Sequence, residues 1–113
     1  MGGIKEYEPL KTSGEFNFIY KKGKSCHTRY FVLFYKENGK KKVGFVASKK
    51  VGSAVKRNRA KRRLRALFAQ YSDNLKNGMY ILVAKSALLE ADFSKLRQSF
   101  ENILKREKLL EKI

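Results

Sequence analysis

A cluster of basic residues is the chemically most distinctive feature of the sequence. Residues 49–65 include nine Lys or Arg side chains and no Asp or Glu. Like charges at this density repel one another, which a folded protein tolerates best when an anionic partner offsets the repulsion. Arginine is better suited than lysine to grip phosphate oxygens in a bidentate way, and it also stacks on bases. The segment therefore favours a nucleic-acid partner over a merely solvated basic surface.

Helical periodicity gives this segment two faces. The apolar residues of one stripe are predicted to pack on a sheet; they are Ala60, Leu64, Leu67, Phe68 and Tyr71. Asn58, Arg62 and Arg65 follow at i, i+4 and i+7 on the side away from that stripe, with Arg59 and Lys61 beside them. An amide both donates and accepts hydrogen bonds, so this side can contact base or sugar edges as well as phosphates.

Aromatic residues are predicted to lie beside these cations. Phe16 and Tyr20 share a helix face at i, i+4, and one parity of the first long strand holds Tyr30, Val32 and Phe34. In the next strand one parity is a core face, Val43, Phe45 and Ala47, and the other is small, polar and basic: Gly44, Val46, Ser48 and Lys50. Each ring alone is more typical of a core. Together, rings beside cations favour a groove for single-stranded nucleic acid.

The elements that position these residues follow from local signals. Ser13 is the expected cap of a helix over residues 14–22 that Gly23 ends, and Asn38-Gly39 is the expected turn of a hairpin. Ser53 is the expected cap of the basic helix, and Asp92 that of the last helix. The predicted strands cover residues 29–35, 43–50 and 79–85, with a further short strand near 25–28, and the basic helix reaches about residue 75.

These elements predict a small α/β (α+β) fold. The order α-β-β-α-β-α favours a two-layer sandwich with a small mixed sheet. The chain has 113 residues, 42% apolar residues and a net charge of +17, which fits one folded RNA-binding domain rather than a disordered chain. We expect an N-terminal arm over residues 1–12 and a folded core over 13–112.

Several classes of function are disfavoured. No apolar run can span a bilayer, no secretory signal is recognisable, and Glu6 breaks the myristoylation pattern that Gly2 could begin. A single cysteine, Cys26, suits a reducing cytoplasm. The carboxylates are scattered, and Cys26 and His27 as strand neighbours point to opposite faces, so we expect no metal site and no catalytic residue in this chain.

The signature of the basic helix resembles a known family. KRNRAKRRLR, residues 56–65, is similar to the R-N-R-x-K-R-x-x-R signature of bacterial ribonuclease P protein components, with every signature position matched by Arg57, Asn58, Arg59, Lys61, Arg62 and Arg65. VASKKVGSAV, EFNFIYKKGK, RYFVLFY and MYILVAK resemble the flanking elements of that family. Lys85 stands where the family usually has Arg, and Pro9 where it often has Arg.

The resemblance implies a definite role. Family members bind ribonuclease P RNA and the 5′ leader of precursor tRNA, while the RNA subunit and its Mg²⁺ remove the leader. The protein itself is expected to need no cofactor, and a left-handed crossover around the basic helix is implied. The implied leader cleft comprises Phe16, Tyr20, Val32, Phe34, Val46, Ser48, Lys50, Asn58, Arg62 and Arg65. The other residues of the basic helix expected to contact RNA are Lys56, Arg57, Arg59, Lys61 and Arg63.

Three alternatives remain open at this point. A structural RNA-binding protein of the ribosomal type explains the charge but not the aromatic groove. A DNA-binding module would need side chains that read base edges, whereas seven cations in residues 56–65 favour phosphate contacts. A membrane-surface helix would need the apolar stripe that the fold itself uses.

Overall fold

The structure is a computed structural model that describes residues 6–111. In chain order the strands and α-helices are β1 (Glu8–Pro9), α1 (Ser13–Lys22), β2 (Lys24–His27), β3 (Phe31–Glu37), β4 (Lys42–Val46), α2 (Ala54–Ala69), β5 (Gly78–Ala84) and α3 (Phe93–Arg106). The described strands form one mixed sheet in the order β1-β4-β5-β3-β2. The predicted α/β fold, including the short strand before β3, is confirmed.

The centre of the sheet corrects the expected hairpin. The Asn38-Gly39 turn is present, and the side chain of Asn38 accepts a hydrogen bond from the backbone N–H of Lys40 at 2.9 Å. However, β3 and β4 are not paired with each other, because β5 lies between them, antiparallel to β3 and parallel to β4. β5 is buried along nearly its whole length, and a strand that is apolar on both faces is most stable in the centre of a sheet.

The two faces of the sheet carry separate cores. Phe31, Leu33 and Tyr35 of β3 point to the larger core, where α2 and α3 pack. The opposite face forms a smaller core around Ile19 of α1 and Ile81 of β5. The predicted alternation of β3 is thus confirmed, and α1 adds a partial third layer to the sandwich of the sheet with α2 and α3.

The β4–α2–β5 unit joins two parallel neighbouring strands through a helix. This is the crossover to which the family resemblance assigns a left-handed connection, against the usual right-handed preference. That handedness stays a prediction.

The start of α1 lies one residue earlier than expected. The cap is Thr12 rather than Ser13, and its hydroxyl accepts a hydrogen bond from the N–H of Glu15 at 3.1 Å. The Glu15 carboxylate in turn accepts from the N–H of Thr12 at 3.2 Å, which completes a capping box. Thr12 is the cap rather than Ser13 because a capping box needs Glu or Gln three residues after the cap. Glu15 has this position relative to Thr12, whereas Ser13 is followed by Phe16 at the same spacing. Gly23 follows the helix as predicted.

Two predicted elements around the basic helix are too long. β4 ends at Val46, and Lys49–Val51 is a 3₁₀ turn in which Ser48 caps the N–H of Lys50 at 3.3 Å. The turn leads into Gly52, whose φ of 137° is a conformation that only glycine adopts readily. α2 begins after Ser53 as predicted but ends at Ala69, because the following Ser72–Asn74 segment has polar side chains that favour turns over helix.

The N-terminal segment packs against the body of the fold. Tyr7 and Leu10 are buried, on the larger and the smaller core respectively. β1 pairs with β4 in parallel between them. Residues assigned from the sequence to an arm outside the core therefore contribute to both cores, and residues 1–5 of that arm lie outside the described part.

Candidate nucleic-acid interface

Three aromatic rings form a continuous row along one face of α1. The ring centroids of Phe16 and Tyr20 are 6.3 Å apart, and those of Tyr20 and Phe34 are 4.8 Å apart in an edge-to-face contact. Phe16 and Phe34 are half-buried, while Tyr20 is 37% exposed. Rings that are held by one another yet reach solvent can stack on unpaired bases.

The floor of this cleft comes from the sheet face under α1. Strand register places Val46, Val83 and Val32 side by side on β4, β5 and β3. Val46 and Val83 are partly buried against the smaller core, whereas Val32 is 9% exposed. The predicted cleft residues of the sheet thus lie on one face, where they form an apolar floor that offers shape but no charge.

The basic side of the cleft comes from α2. Asn58, Arg62 and Arg65 are exposed, as their spacing predicts. The guanidinium carbon of Arg65 lies 5.2 Å from the centroid of the Phe45 ring, a cation–π contact that fixes its position. Arg65 and Phe16 line one cavity of about 310 Å³, so a ring of the aromatic row and a cation of α2 share a single site.

Two arginines of the basic helix are bound to the protein itself. Arg63 donates three hydrogen bonds of 2.7–3.0 Å from its guanidinium to the carbonyl oxygens of Leu88, Leu89 and Ala91. Arg57 donates to the carbonyl oxygen of Gly52 at 3.1 Å. These hydrogen bonds hold α2 to the segment before α3, and the expectation that Arg63 contacts RNA stays a prediction. Helical periodicity places Arg63 beside the apolar stripe, but only the tertiary fold brings those carbonyls to it.

The remaining residues predicted to contact RNA are at least partly exposed to solvent. Lys56 and Arg59 are exposed, Lys61 is half-buried, and Ser48 and Lys50 are exposed on the 3₁₀ turn before α2. Across residues 6–111, no carboxylate forms a salt bridge with any Lys or Arg of residues 49–65. Their charge is not neutralised by those carboxylates, so it remains available for phosphate groups.

One polar contact that the sequence patterns missed fixes α1 on the sheet. The ammonium of Lys42 on β4 donates to the carboxylate of Glu15. This bond, followed by hydrogen bonds from the backbone N–H groups of Lys11 and Thr12, lowers the pKa of Glu15 to about 2 from its ordinary 4.5. The pairing joins residues that are far apart in sequence, so no local signal announces it. It holds the helix turn that carries Phe16 against β4.

Other residues of the site were also missed by sequence reasoning. Gly44 makes room for Phe16, since a Cβ at Gly44 would lie 2.8 Å from two atoms of that ring. A glycine inside a strand is a signal of close approach that was available in the sequence. Tyr7 and Leu10 also line the cavity that Phe16 and Arg65 share, although the sequence placed both in an arm.

The His, Cys, Asp and Glu side chains of the described residues are scattered. No group of three or more His, Cys, Asp or Glu side chains in residues 6–111 could hold a metal ion. Cys26 is buried in the larger core and its neighbour His27 is exposed, as expected for adjacent residues of a strand. Among the described helices, none has the length and apolar character needed to cross a membrane.

Comparison with known proteins gives a consistent result. The family model described as Ribonuclease P matches residues 4–108. The ribonuclease P protein component of Nitratiruptor sp. is 53% identical over 103 residues, which cover 91% of this chain and 94% of that relative. An alignment that covers this much of the chain includes both the aromatic row beside α1 and the basic helix.

Solved structures show the same architecture. An RNase P protein mutant of Staphylococcus aureus superposes with a TM-score of 0.81 at 32% identity, over 95% of this chain and 92% of that one. The RNase P protein of Thermotoga maritima gives a TM-score of 0.75 at 32% identity, over 88% and 96% of the two chains. The mixed sheet and its helices are thus shared with these proteins over nearly their whole length.

Proposed function

This chain belongs to the ribonuclease P protein family, and we propose that it binds ribonuclease P RNA and the 5′ leader of precursor tRNA, so that the leader is removed by the assembled ribonucleoprotein. It is thus a protein component of an endoribonuclease of tRNA processing. As in the alternatives weighed from the sequence, a structural RNA-binding protein would need the cations of α2 but not the row of rings on α1.

A single observation carries this proposal: Phe16 and Arg65 line the same cavity. An unpaired strand presents base faces and phosphates in alternation, and a surface that places rings beside guanidinium groups matches both. Duplex nucleic acid hides its base faces within the stack, so the rings would contribute nothing to binding it. The arrangement therefore favours the single-stranded leader over a duplex.

The residues divide into two roles under this proposal. The rings of Phe16, Tyr20 and Phe34 stack on leader bases above the valine floor. The polar residues that reach solvent bind phosphates and sugars of the leader or of the RNA subunit; they are the half-buried Lys61 and the exposed Ser48, Lys50, Lys56, Asn58, Arg59, Arg62 and Arg65. Arg63 acts through the fold, because its hydrogen bonds orient α2.

The hydrolytic chemistry is assigned to the RNA subunit and the Mg²⁺ that it binds. Hydrolysis assisted by magnesium needs carboxylates or phosphates that hold the ion. The protein contributes affinity for the substrate and charge neutralisation, which helps an RNA fold at a lower magnesium concentration. We place this assembly in the cytoplasm.

The test is a reconstitution with a bacterial ribonuclease P RNA. The dissociation constants of precursor tRNA and of mature tRNA are measured with and without this protein at matched salt and low magnesium, together with the rate of leader cleavage. We expect the protein to raise the affinity for the precursor more than that for mature tRNA and to restore cleavage. Equal gains for both RNAs, or binding of duplex DNA with the same affinity, would favour a general RNA- or DNA-binding protein instead.

A further inference from the structure

We propose that a cavity between the start of α3 and the turn before β3 binds one unpaired guanosine of the RNA subunit. The inference rests on the proposed function, and it adds a base-selective contact on the side of the sheet away from the leader cleft. The cavity has a volume of about 290 Å³. The lining residues that carry the argument are Arg29, Tyr30, Glu90, Asp92 and Lys95.

Backbone hydrogen bonds fix one wall of this cavity, the turn before β3. The hydroxyl of Thr28 accepts from the N–H groups of Tyr30 and Phe31 at 3.1 and 3.0 Å. The ammonium of Lys85 donates to the carbonyl oxygen of Thr28 at 2.6 Å, and the N–H of Lys85 donates to the carbonyl oxygen of Tyr30 at 3.0 Å. The turn that carries Arg29 and Tyr30 is therefore held both from within and from the residue that follows β5.

The segment before α3 forms the opposite wall, and α2 fixes it in place. The guanidinium of Arg63 donates to three carbonyl oxygens of this segment, among them that of Ala91. Ala91 lines the cavity together with its neighbours in sequence, Glu90 and Asp92. Because both walls are held before any ligand arrives, binding costs little additional ordering of the protein.

Four charged side chains line the cavity without pairing with one another. Arg29, Glu90, Asp92 and Lys95 are all exposed, and none of them forms a salt bridge within residues 6–111. Asp92 is the N-cap of α3, yet its carboxylate accepts no hydrogen bond from the first turn of that helix. An aspartate in this position usually does so. The two carboxylates and the two cations thus remain available to a ligand.

The chemistry of these groups matches guanosine. A carboxylate has two acceptor oxygens, and guanine presents two parallel donors on one edge, N1–H and the N2 amino group. Adenine and cytosine place an acceptor beside their amino group, and uracil has no amino group. The half-buried ring of Tyr30 offers a face for stacking, while Arg29 and Lys95 offer cations for the adjoining phosphates. A volume of about 290 Å³ suits a single base.

The position of the cavity favours the RNA subunit as the source of that base. Tyr30 and Ala91 pack on the larger core, whereas the leader cleft lies over the smaller core on the other face of the sheet. A leader nucleotide in the cleft is therefore separated from the cavity by the sheet. Arg63, which holds one wall, lies one helical turn after the exposed Arg59 of α2. RNA that binds the exposed cations of α2 consequently passes close to the cavity.

The experiment is an inosine interference assay of assembly. A bacterial ribonuclease P RNA is prepared with inosine in place of guanosine at one random position per molecule, which removes the N2 amino group. Molecules bound by the wild-type protein are separated from unbound ones, and the inosine positions are read in both fractions. We expect one guanosine at which inosine weakens assembly by roughly 10- to 150-fold, the effect of one lost hydrogen bond to a charged group.

The D92N variant tests the role of the carboxylate. Asparagine caps a helix as well as aspartate does, so the fold is retained. Its amide has only one acceptor oxygen and opposes a donor to one of the two guanine donors. The penalty of inosine at that position should therefore be lost with D92N. The control is D73N, which removes an exposed carboxylate outside the cavity and should leave the penalty unchanged.

A second variant tests the cations independently of the base. R29A should reduce the slope of log assembly affinity against log salt by about 0.7–0.9, the value for one phosphate contact. R97A removes an exposed arginine of α3 that does not line this cavity, and it should keep the wild-type slope. A wild-type slope in R29A would overturn the proposed contact with the adjoining phosphate.

The possible failures are distinguishable. If the protein does not assemble with the RNA, the proposed function fails together with the guanosine site. If it assembles but no inosine position responds to D92N, or if D73N abolishes the same penalty, only the site is refuted. The same assay with inosine in the precursor tRNA identifies the source of the base. A position there that responds to D92N would refute the RNA subunit as that source.

Discussion

The ring of Phe16 lies directly against the backbone of Gly44, so closely that a Cβ at Gly44 would come within 2.8 Å of two ring atoms. This contact seats α1 on β4 and sets the height of the aromatic row above the sheet. The Glu15–Lys42 ion pair lies one residue before Phe16 on α1 and two residues before Gly44 on β4, and it holds the same contact from its polar side. The geometry of the cleft therefore depends on glycine, which has no side chain, at position 44.

Replacement of Gly44 tests this seat. In Gly44→Ala the new methyl group displaces Phe16, and we expect the free energy of unfolding to fall by about 1–3 kcal/mol, as for an overpacked core site. The affinity for precursor tRNA should fall as well, while that for mature tRNA stays the same. The control is Gly39→Ala, because nothing lies within 4 Å of a Cβ at that position. Denaturant unfolding and binding that match the wild type in Gly44→Ala would show that α1 is not seated in this way.

Two phenylalanines of α1 allow the effect of stacking on leader binding to be distinguished from the effect of losing an apolar ring. Phe16 faces the cleft, whereas Phe18 is 43% exposed and is not among the residues that pack on the smaller core. Phe16→Ala should lose roughly 1–3 kcal/mol of leader binding through lost stacking. Phe18→Ala, with the same loss of ring, should bind the leader normally. Equal binding by both variants, with both folded by circular dichroism, would mean that Phe16 only fills space.

Two arginines that are neighbours in sequence should respond differently to salt. Arg62 is exposed, and its loss in Arg62→Ala should reduce the slope of log affinity against log salt by about 0.7–0.9, the value for one phosphate contact. Arg63 donates to three carbonyl groups instead. Arg63→Ala should keep the wild-type slope of log affinity against log salt. It should lower the free energy of unfolding by about 1–3 kcal/mol, because the carbonyl groups lose their hydrogen-bond partner.

The measurements for this pair are salt titrations of RNA binding and chemical denaturation of the free protein. Each variant serves as the control of the other, since both remove one positive charge at adjacent positions. The assignment of roles is wrong if Arg63→Ala flattens the salt dependence with its stability unchanged, or if Arg62→Ala leaves the slope at the wild-type value.

The ion pair of Glu15 predicts a dependence of stability on pH. The pKa of Glu15 is lowered in the folded protein to about 2 from 4.5, so its contribution to stability is fully present above pH 4.5 and is lost as the pH falls toward 2. The unfolding temperature of the wild type should therefore fall more steeply over this range than that of Glu15→Gln, which cannot ionise. Glu90→Gln, which removes an exposed carboxylate outside this contact, should follow the wild-type curve. If the unfolding temperatures of the wild type and Glu15→Gln fall in parallel with pH, the ion pair does not contribute to the pH dependence of stability.

Local patterns predicted most of the secondary structure and the basic side of the interface on α2. The N-terminal cap of α2 and the end of α1 follow from residues within a few positions, and the spacing of Asn58, Arg62 and Arg65 shows that they share a helix face. The errors arose where local signals compete. Thr12 and Ser13 are both good caps, and residues 43–50 begin as a strand but contain Ser48, whose side chain stabilises a turn.

Strand order and contacts between distant residues were beyond the reach of local patterns. A turn at Asn38-Gly39 does not reveal whether the strands beside it pair, and here β5 separates them. Periodicity likewise marks Arg63 as basic and near the apolar stripe, but it cannot show that the carbonyls of Leu88 and Ala91 lie within reach.

The sequence by itself determined that the chain has a two-sided basic helix and an alternating apolar sheet, and its charge indicated a partner with phosphates. These properties depend on charge and on periods of two and 3.6 residues, which local geometry imposes. The tertiary structure alone decided which cations remain free, which one is used inside the fold, and that Phe16, Phe45 and Arg65 line one cavity. Such contacts join residues far apart in the chain, and they exist only because burial of the two cores fixes the order of the strands.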